Sequence, residues 1–120
     1  MHEINFQTIN VVGISCMQFD NIYHNYIAKD GNKFVDLDDY KVEVYYTTPN
    51  KESFKKSCEI NNNIIKIRIN GNMTKNVGNT EVFLRFSNSE VDFTKKVAVI
   101  NVCEFIDITK AKEEWLNGRI

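Results

Sequence analysis

The chain has 120 residues, 42% of them hydrophobic and 26% charged, which is ordinary globular usage and far from a disordered composition. That length suits a single domain able to bury a hydrophobic core without staples. With 15 Lys and Arg against 16 Asp and Glu, a net charge of -1, there is no global field to draw in nucleic acid or an anionic membrane. No run approaches the roughly 18 apolar residues of a membrane span.

The N-terminus, "MHEINFQTINVVG", has no basic lead, no long apolar core and no small-residue cleavage site, so it does not read as a secretory signal. Weak strand patterns follow at 3–12, 14–19 and 23–28, closed by the turn dipeptide Asp30-Gly31. In "KVEVYYTT" (41–48), Val42, Val44 and Tyr46 alternate with Lys41, Glu43, Tyr45 and Thr47, the two-residue period of a half-buried strand. The turn "TPNKES" (48–53) leads to a weaker strand at 54–60, and "NNN" (61–63) precedes "IIKIRI", where Ile65, Ile67 and Ile69 share a face.

The stretch "INGNMTKNVG" (69–78) separates two apolar runs and contains the N-linked sugar pattern Asn72-Met73-Thr74. Without an export signal, the connection reading is preferred, with Met73 and Val77 as inward plugs and Gly78 as a hinge. In "EVFLRF" (81–86), Val82, Leu84 and Phe86 oppose Phe83 and Arg85. In "VDFTKKVAVINV" (91–102), Val91, Phe93, Val97 and Val99 oppose Asp92, Thr94 and Lys96. The basic pairs at 55–56 and 95–96 read as solvated strand faces.

These patterns predict an all-β protein, an antiparallel, immunoglobulin-like β-sandwich of seven to eight strands with a short C-terminal helix. Size and irregular loops favour a sandwich over a closed barrel. Residues 1–106 form the sandwich and 107–120 the helical tail. In that tail Asp107 or Thr109 caps, Ile108, Ala111 and Trp115 share a stripe, and Asn117-Gly118 stops the helix. A helix this short is marginal alone, so the stripe should dock, on its own sandwich or on a neighbouring subunit.

No pattern asks for an enzyme, a metal or a cofactor. Walker, dinucleotide-binding and nucleophile-elbow motifs are missing. His2 and His24 have no zinc-like spacing, and pairing His24 with Cys16 or Cys58 as nucleophile and base lacks an orienting third group. Asp36, Asp38 and Asp39 suggest calcium ligands but lack the rest of an EF-hand loop. Cys16, Cys58 and Cys103 are odd in number and apolar in context, and read as buried reduced thiols of a protein made in a reducing cytoplasm. Tyr23, Tyr26, Tyr40, Tyr45 and Tyr46 are mainly packing residues, with a sugar-stacking platform as the alternative. Tyr45, opposite the Val42/Val44/Tyr46 face, is the tyrosine expected to be exposed or covered by a partner.

From Ile27 to Phe105 the order of these elements resembles the N-terminal domain of phage baseplate upper proteins (BppU-like). The matching features are the Asp30-Gly31 turn, Asp36-Leu37 leading into an alternating strand, and the Pro49-Asn50 hairpin turn. After these come the Ile-rich strand 64–69 and a polar linker ending in Val77-Gly78. The chain has Pro-Asn-Lys where the family tends to have Pro-Asp-Gly, and residues 1–22 match weakly. The resemblance implies a non-enzymatic virion protein, assembled in the bacterial host cytoplasm, that anchors other virion proteins in a tail baseplate, head fibre or capsid decoration. It also implies a homo-oligomer, a trimer or larger ring, while the charge balance and the lack of a long apolar run give no expectation of nucleic acid or membrane partners. Trp115, Ile108, Ala111 and Tyr45 are the expected interface residues. The alternative function is a β-sandwich module that binds host cell-surface glycans.

Overall fold

A computed structural model describes residues 1–114. They form ten strands: β1 (His2–Asn5), β2 (Val12–Met17), β3 (Ile22–Asp30), β4 (Lys33–Phe34), β5 (Lys41–Thr47), β6 (Ser53–Lys56), β7 (Glu59–Asn61), β8 (Ile64–Ile69), β9 (Gly78–Ser87) and β10 (Asp92–Cys103). One sheet runs β1-β3-β8-β7 with β4 also on β3, and the other runs β2-β10-β9-β5-β6. The four strongly alternating segments all become strands, β5, β8, β9 and β10. The stretch 54–60 instead breaks at Ser57-Cys58, so that β6 joins the second sheet and β7 the first.

The arrangement is β-sandwich-like, and both sheets are mixed. β1 pairs in parallel with β3, and β2 with β10. Neither strand order is that of an immunoglobulin domain, which is built from antiparallel sheets. The expectation of a wholly antiparallel, immunoglobulin-like sandwich is therefore corrected. Its cause lies in the two N-terminal strands, whose partners are distant in sequence and leave no local mark.

Turn chemistry holds the hairpins. Gly31, Asn62 and Lys51 adopt left-handed φ values of 63°, 56° and 68° in the β3–β4, β7–β8 and β5–β6 connections. Lys51 thus occupies the conformation that glycine serves best, while Thr48 N–H donates to the Glu52 carbonyl at 2.9 Å and closes the loop. The Pro-Asn-Lys sequence keeps a tight hairpin in spite of lacking the glycine.

The core lies between the inner faces. Tyr26, Ala28, Ile65, Ile67 and Ile69 meet Val44, Tyr46, Val82, Leu84, Phe86, Ile100 and Val102. Phe86 stacks on Phe93 with ring centroids 5.4 Å apart, and Phe6 packs against both at 4.9 Å. The row expected for β10 is interrupted. The pairing with β9 slips between Lys96 and Ala98, a β-bulge that lets Phe93 and Val97 face inward and then Ala98, Ile100 and Val102. Val99 is displaced from its expected inward row to the opposite phase.

In the connection after β8, Met73 is buried and Val77 is 53% exposed, so one of the two expected plugs is on the surface. Thr74 is also buried, its hydroxyl donating to the Asp20 carbonyl at 3.0 Å. Asn72 lies in a 3-10 turn, Gly71–Met73. Gly78 has φ of 122°, and an added Cβ would meet the Pro49 ring at 3.0 Å.

The tail differs from expectation. Asp107 does cap, accepting from Thr109 N–H at 3.1 Å, but it caps only the 3-10 turn Ile108–Lys110. Ala111 is already extended, with ψ of 136°, so the expected helix is not formed through the described residues. The stripe has no surface to rest on, and a short uncovered helix does not sustain itself. Trp115 and the expected stop Asn117-Gly118 lie outside the described residues.

Replacing Phe86 with Ala should cost about 3–5 kcal/mol, the usual range for emptying a core aromatic site. Val77→Ala should stay within about 0.5 kcal/mol, as for surface positions. Denaturant midpoints of the two variants against wild type check both.

Candidate interaction surfaces

Each strand alternates, so adjacent lysines point to opposite sides. Lys55 and Lys96 face outward and pair with Glu43 and with Glu81, the latter at 3.5 Å. Lys56 turns the other way and donates to the Arg68 carbonyl at 2.5 Å and to Asn70 Oδ1 at 2.9 Å, tying β6 to the end of β8. Lys95 reaches the Phe6 carbonyl at 3.4 Å. One lysine of each pair therefore bridges the sheets, where solvated faces were expected for both.

Tyr45 sits half-buried in the middle of the outer face of the second sheet. Its register partner on β9 is Phe83 and its partner on β6 is Lys55. Its hydroxyl donates to Glu43 Oε2 at 3.2 Å, and the Lys55 ammonium lies 6.0 Å from its ring centre. Glu43 is covered by these neighbours to 6% exposure although it points outward, with Arg85 3.9 Å and Lys41 4.0 Å from its oxygens. The hydrogen bond from Lys55 holds the Glu43 carboxyl below its ordinary value, aided by the charges of Lys41 and Lys55. Arg85 grips Asp92 with two parallel hydrogen bonds of 2.8 and 2.6 Å and lowers its carboxyl likewise. The charges on this face are largely satisfied by one another.

The other expected interface residues are not gathered around Tyr45. Ile108 is 79% exposed and Ala111 is exposed, both on the segment that leaves β10. At its base Phe105 packs edge-on against Phe19, with centroids 5.7 Å apart, and its N–H donates to Gln18 Oε1 at 3.1 Å. Phe19, Phe105, Ile106 and Val77 are each at least half exposed. Phe19 is also held at φ of 69°, a region that bulky residues rarely enter. Sequence reasoning passed over Phe19 because an aromatic next to a turn has no periodic signature.

The tyrosines do not make a platform. Tyr26 and Tyr46 are core, Tyr40 and Tyr45 are half-buried, and Tyr23 is the exposed one. Asp36 caps the 3-10 turn Leu37–Asp39 by accepting from Asp38 N–H at 3.0 Å. Among the described residues no three His, Cys, Asp or Glu side chains are placed to hold a metal. His24, on the inner side of β3, stacks on His2 with centroids 4.5 Å apart and meets the Tyr26 ring edge-on. Its Nε2 is buried without a partner among the described residues. Burial, reinforced by His2 and the N-terminal amine, holds its pKa below the ordinary value.

The thiols differ from one another. Cys16 is buried, Cys58 is intermediate and Cys103 is exposed, so the expectation of three buried thiols fails at the end of β10, where Cys103 points outward. Burial pushes the Cys58 thiol up to about 11 and, with Asp20 and Cys103 nearby, raises that of Cys16.

Fold and surface together define a two-sheet β-sandwich-like module with uncovered apolar side chains at one end. No protein-family model matches the chain, and no curated protein matches it. Among solved structures it is similar to the N-terminal domain of phage TP901-1 ORF48, with a TM-score of 0.52 and 12% sequence identity. The match covers 84% of this chain and 96% of that one. At that identity the likeness is one of fold alone.

Two measurements follow from these environments. The folded state resists protonating His24 and Glu43, whereas the unfolded chain takes up those protons near 6.5 and 4.5. Stability should therefore fall as the pH drops below 6.5 and again below 4.5. Thermal melts across this range should show the upper loss reduced in His24→Gln and the lower one in Glu43→Gln. In native protein, a small alkylating probe followed by peptide mass mapping should label Cys103 first and Cys16 and Cys58 slowly.

Proposed function

We propose that this protein is a non-enzymatic structural component of a phage virion, an assembly or anchoring module of a tail baseplate, a head fibre or a capsid decoration. The observation that carries the reading is the fold it shares with the ORF48 domain over nearly the whole of that domain. On this reading residues 1–106 are the sandwich and 107–120 an assembly tail. The protein is built into particles in the bacterial cytoplasm as a homo-oligomer, a trimer or larger ring, in contact with other virion proteins. Ile108, Ala111 and Trp115 of the tail, with Tyr45 on the sandwich, are the contact residues.

The surface chemistry agrees with a role in assembly. Among the exposed large apolar side chains, Phe19 and Phe105 pack on each other, and Ile106 and Ile108 follow Phe105 along the chain; such groupings mark contacts between proteins. The outer strands β2 and β6 of the second sheet each have one unpaired side, a ready template for main-chain pairing. No specific observation favours a glycan-binding role over this one.

Mass spectrometry of purified particles of the encoding phage tests the reading. The protein should be present in fixed copy number through density-gradient purification and high-salt washing. Its absence from intact particles, with abundant protein in the infected cell, would overturn it.

A further inference from the structure

On the outer face of the first sheet, β3 and β8 place Tyr23 beside Lys66 and Arg68; Tyr23 and Arg68 are register partners. The Lys66 ammonium lies 4.2 Å from the Tyr23 ring centre and the Arg68 guanidinium carbon 5.6 Å, so one ring attracts both cations. Lys56, Ser57, Cys58 and Glu59 complete the wall of a cavity of about 270 Å³. Three cations line it against one carboxylate, Glu59, which stands 4.0 Å from Lys66. Arg68 spends only Nε, on Asn21 Oδ1 at 2.8 Å. Its two terminal nitrogens have no hydrogen-bond partner among the described residues, and they form the planar fork that takes a carboxylate with two parallel bonds. The site is thus preset for an acidic group.

The chain carries a matching segment. Residues 104–114 are all exposed, and every hydrogen bond and ion pair described for 107–114 stays within the segment itself. It contains Glu104, Asp107, Glu113 and Glu114 against Lys110 and Lys112, an acidic excess equal to the basic excess of the cavity. The molecule extends 65 Å in its longest dimension against 30 and 22 Å, whereas a strand as long as β10 spans only about 40 Å. The segment therefore stands off the sandwich as an arm, carrying uncovered Phe105, Ile106 and Ile108.

We propose that this arm docks on a second copy of the chain, with Glu113 and Glu114 entering the Tyr23/Lys66/Arg68 cavity. Repeated head-to-tail, this contact closes into a ring when the rotation permits. This deepens the structural-protein reading and rests on it for the biological setting. The contact chemistry stands without it.

Sedimentation velocity of the full chain at low salt tests the proposal. Wild type should associate above monomer mass, and more weakly as salt rises. The variants Lys66→Glu/Arg68→Glu and Glu113→Lys/Glu114→Lys should each weaken association by about tenfold or more, and mixing the two should restore it. Circular dichroism melts confirm that the cavity variant folds, and the arm variant alters no described contact with the sandwich. A wild type that is monomeric at every concentration, or charge variants that associate like wild type, would overturn the docking. If the particles contain the protein while the charge variants behave as wild type, the docking fails and the virion role stands. If the charge swap behaves as described but the particles lack the protein, the virion role fails and the docking stands.

Discussion

Val97 is one residue too many for the ladder between β9 and β10, and the sandwich is built around that excess. A strand with strict two-residue alternation would have carried Phe93 and Val97 inward and then Val99, leaving Ala98, Ile100 and Val102 in solvent. The slip between Lys96 and Ala98 changes the phase once, at mid-strand. The first half of β10 then faces Phe6 and Phe86, and the second half faces the remaining core. A bulge also increases local twist, and the re-phased half of β10 is the part that takes β2 as a parallel partner. The capture of the N-terminal region by the C-terminal strand therefore depends on it.

The same alternation explains the uneven treatment of charge. Where two lysines are consecutive on a strand, one must point toward the other sheet. Lys56 and Lys95 meet that constraint by ending on backbone carbonyls at the margin of the sandwich, and their stems cover apolar surface on the way. Their outward neighbours enter lattices with Glu43 and Glu81 that leave little charge unpaired. The Tyr23 cavity is different, because Arg68 and Lys66 gather on one ring with only Glu59 opposed. Charge there is arranged for something outside the sandwich.

On the proposed assembly reading, surface is what the protein offers to its neighbours. Its thiols are split between interior and rim, its two histidines are stacked on each other, and its acidic run caps a turn. Apolar side chains that the sandwich leaves uncovered stand where the arm departs, beside Phe19 in its left-handed conformation. Holding a bulky residue there costs on the order of 1 kcal/mol or more. The neighbouring turn sustains that cost through the hydrogen bond from Phe19 N–H to the Thr74 carbonyl, 3.0 Å.

Local patterns in the sequence determined the central strands β5, β8, β9 and β10, the hairpin turns between them, and most of the core. Alternation and turn chemistry act over a few residues and are visible there. They did not determine the sheet partners of β1 and β2, the break that sends β6 and β7 to different sheets, or the phase change at Val97. Each of those is decided by a strand distant along the chain. The tail shows the same limit from the other side. Asp107 is a genuine cap, but whether a helix follows depends on a surface to cover Ile108 and Ala111, which the sandwich does not supply. The Tyr23 cavity was equally hidden, since Lys56, Lys66 and Arg68 come from separate strands and only the pairing of β3 with β8, and the approach of β6 to its end, brings them together.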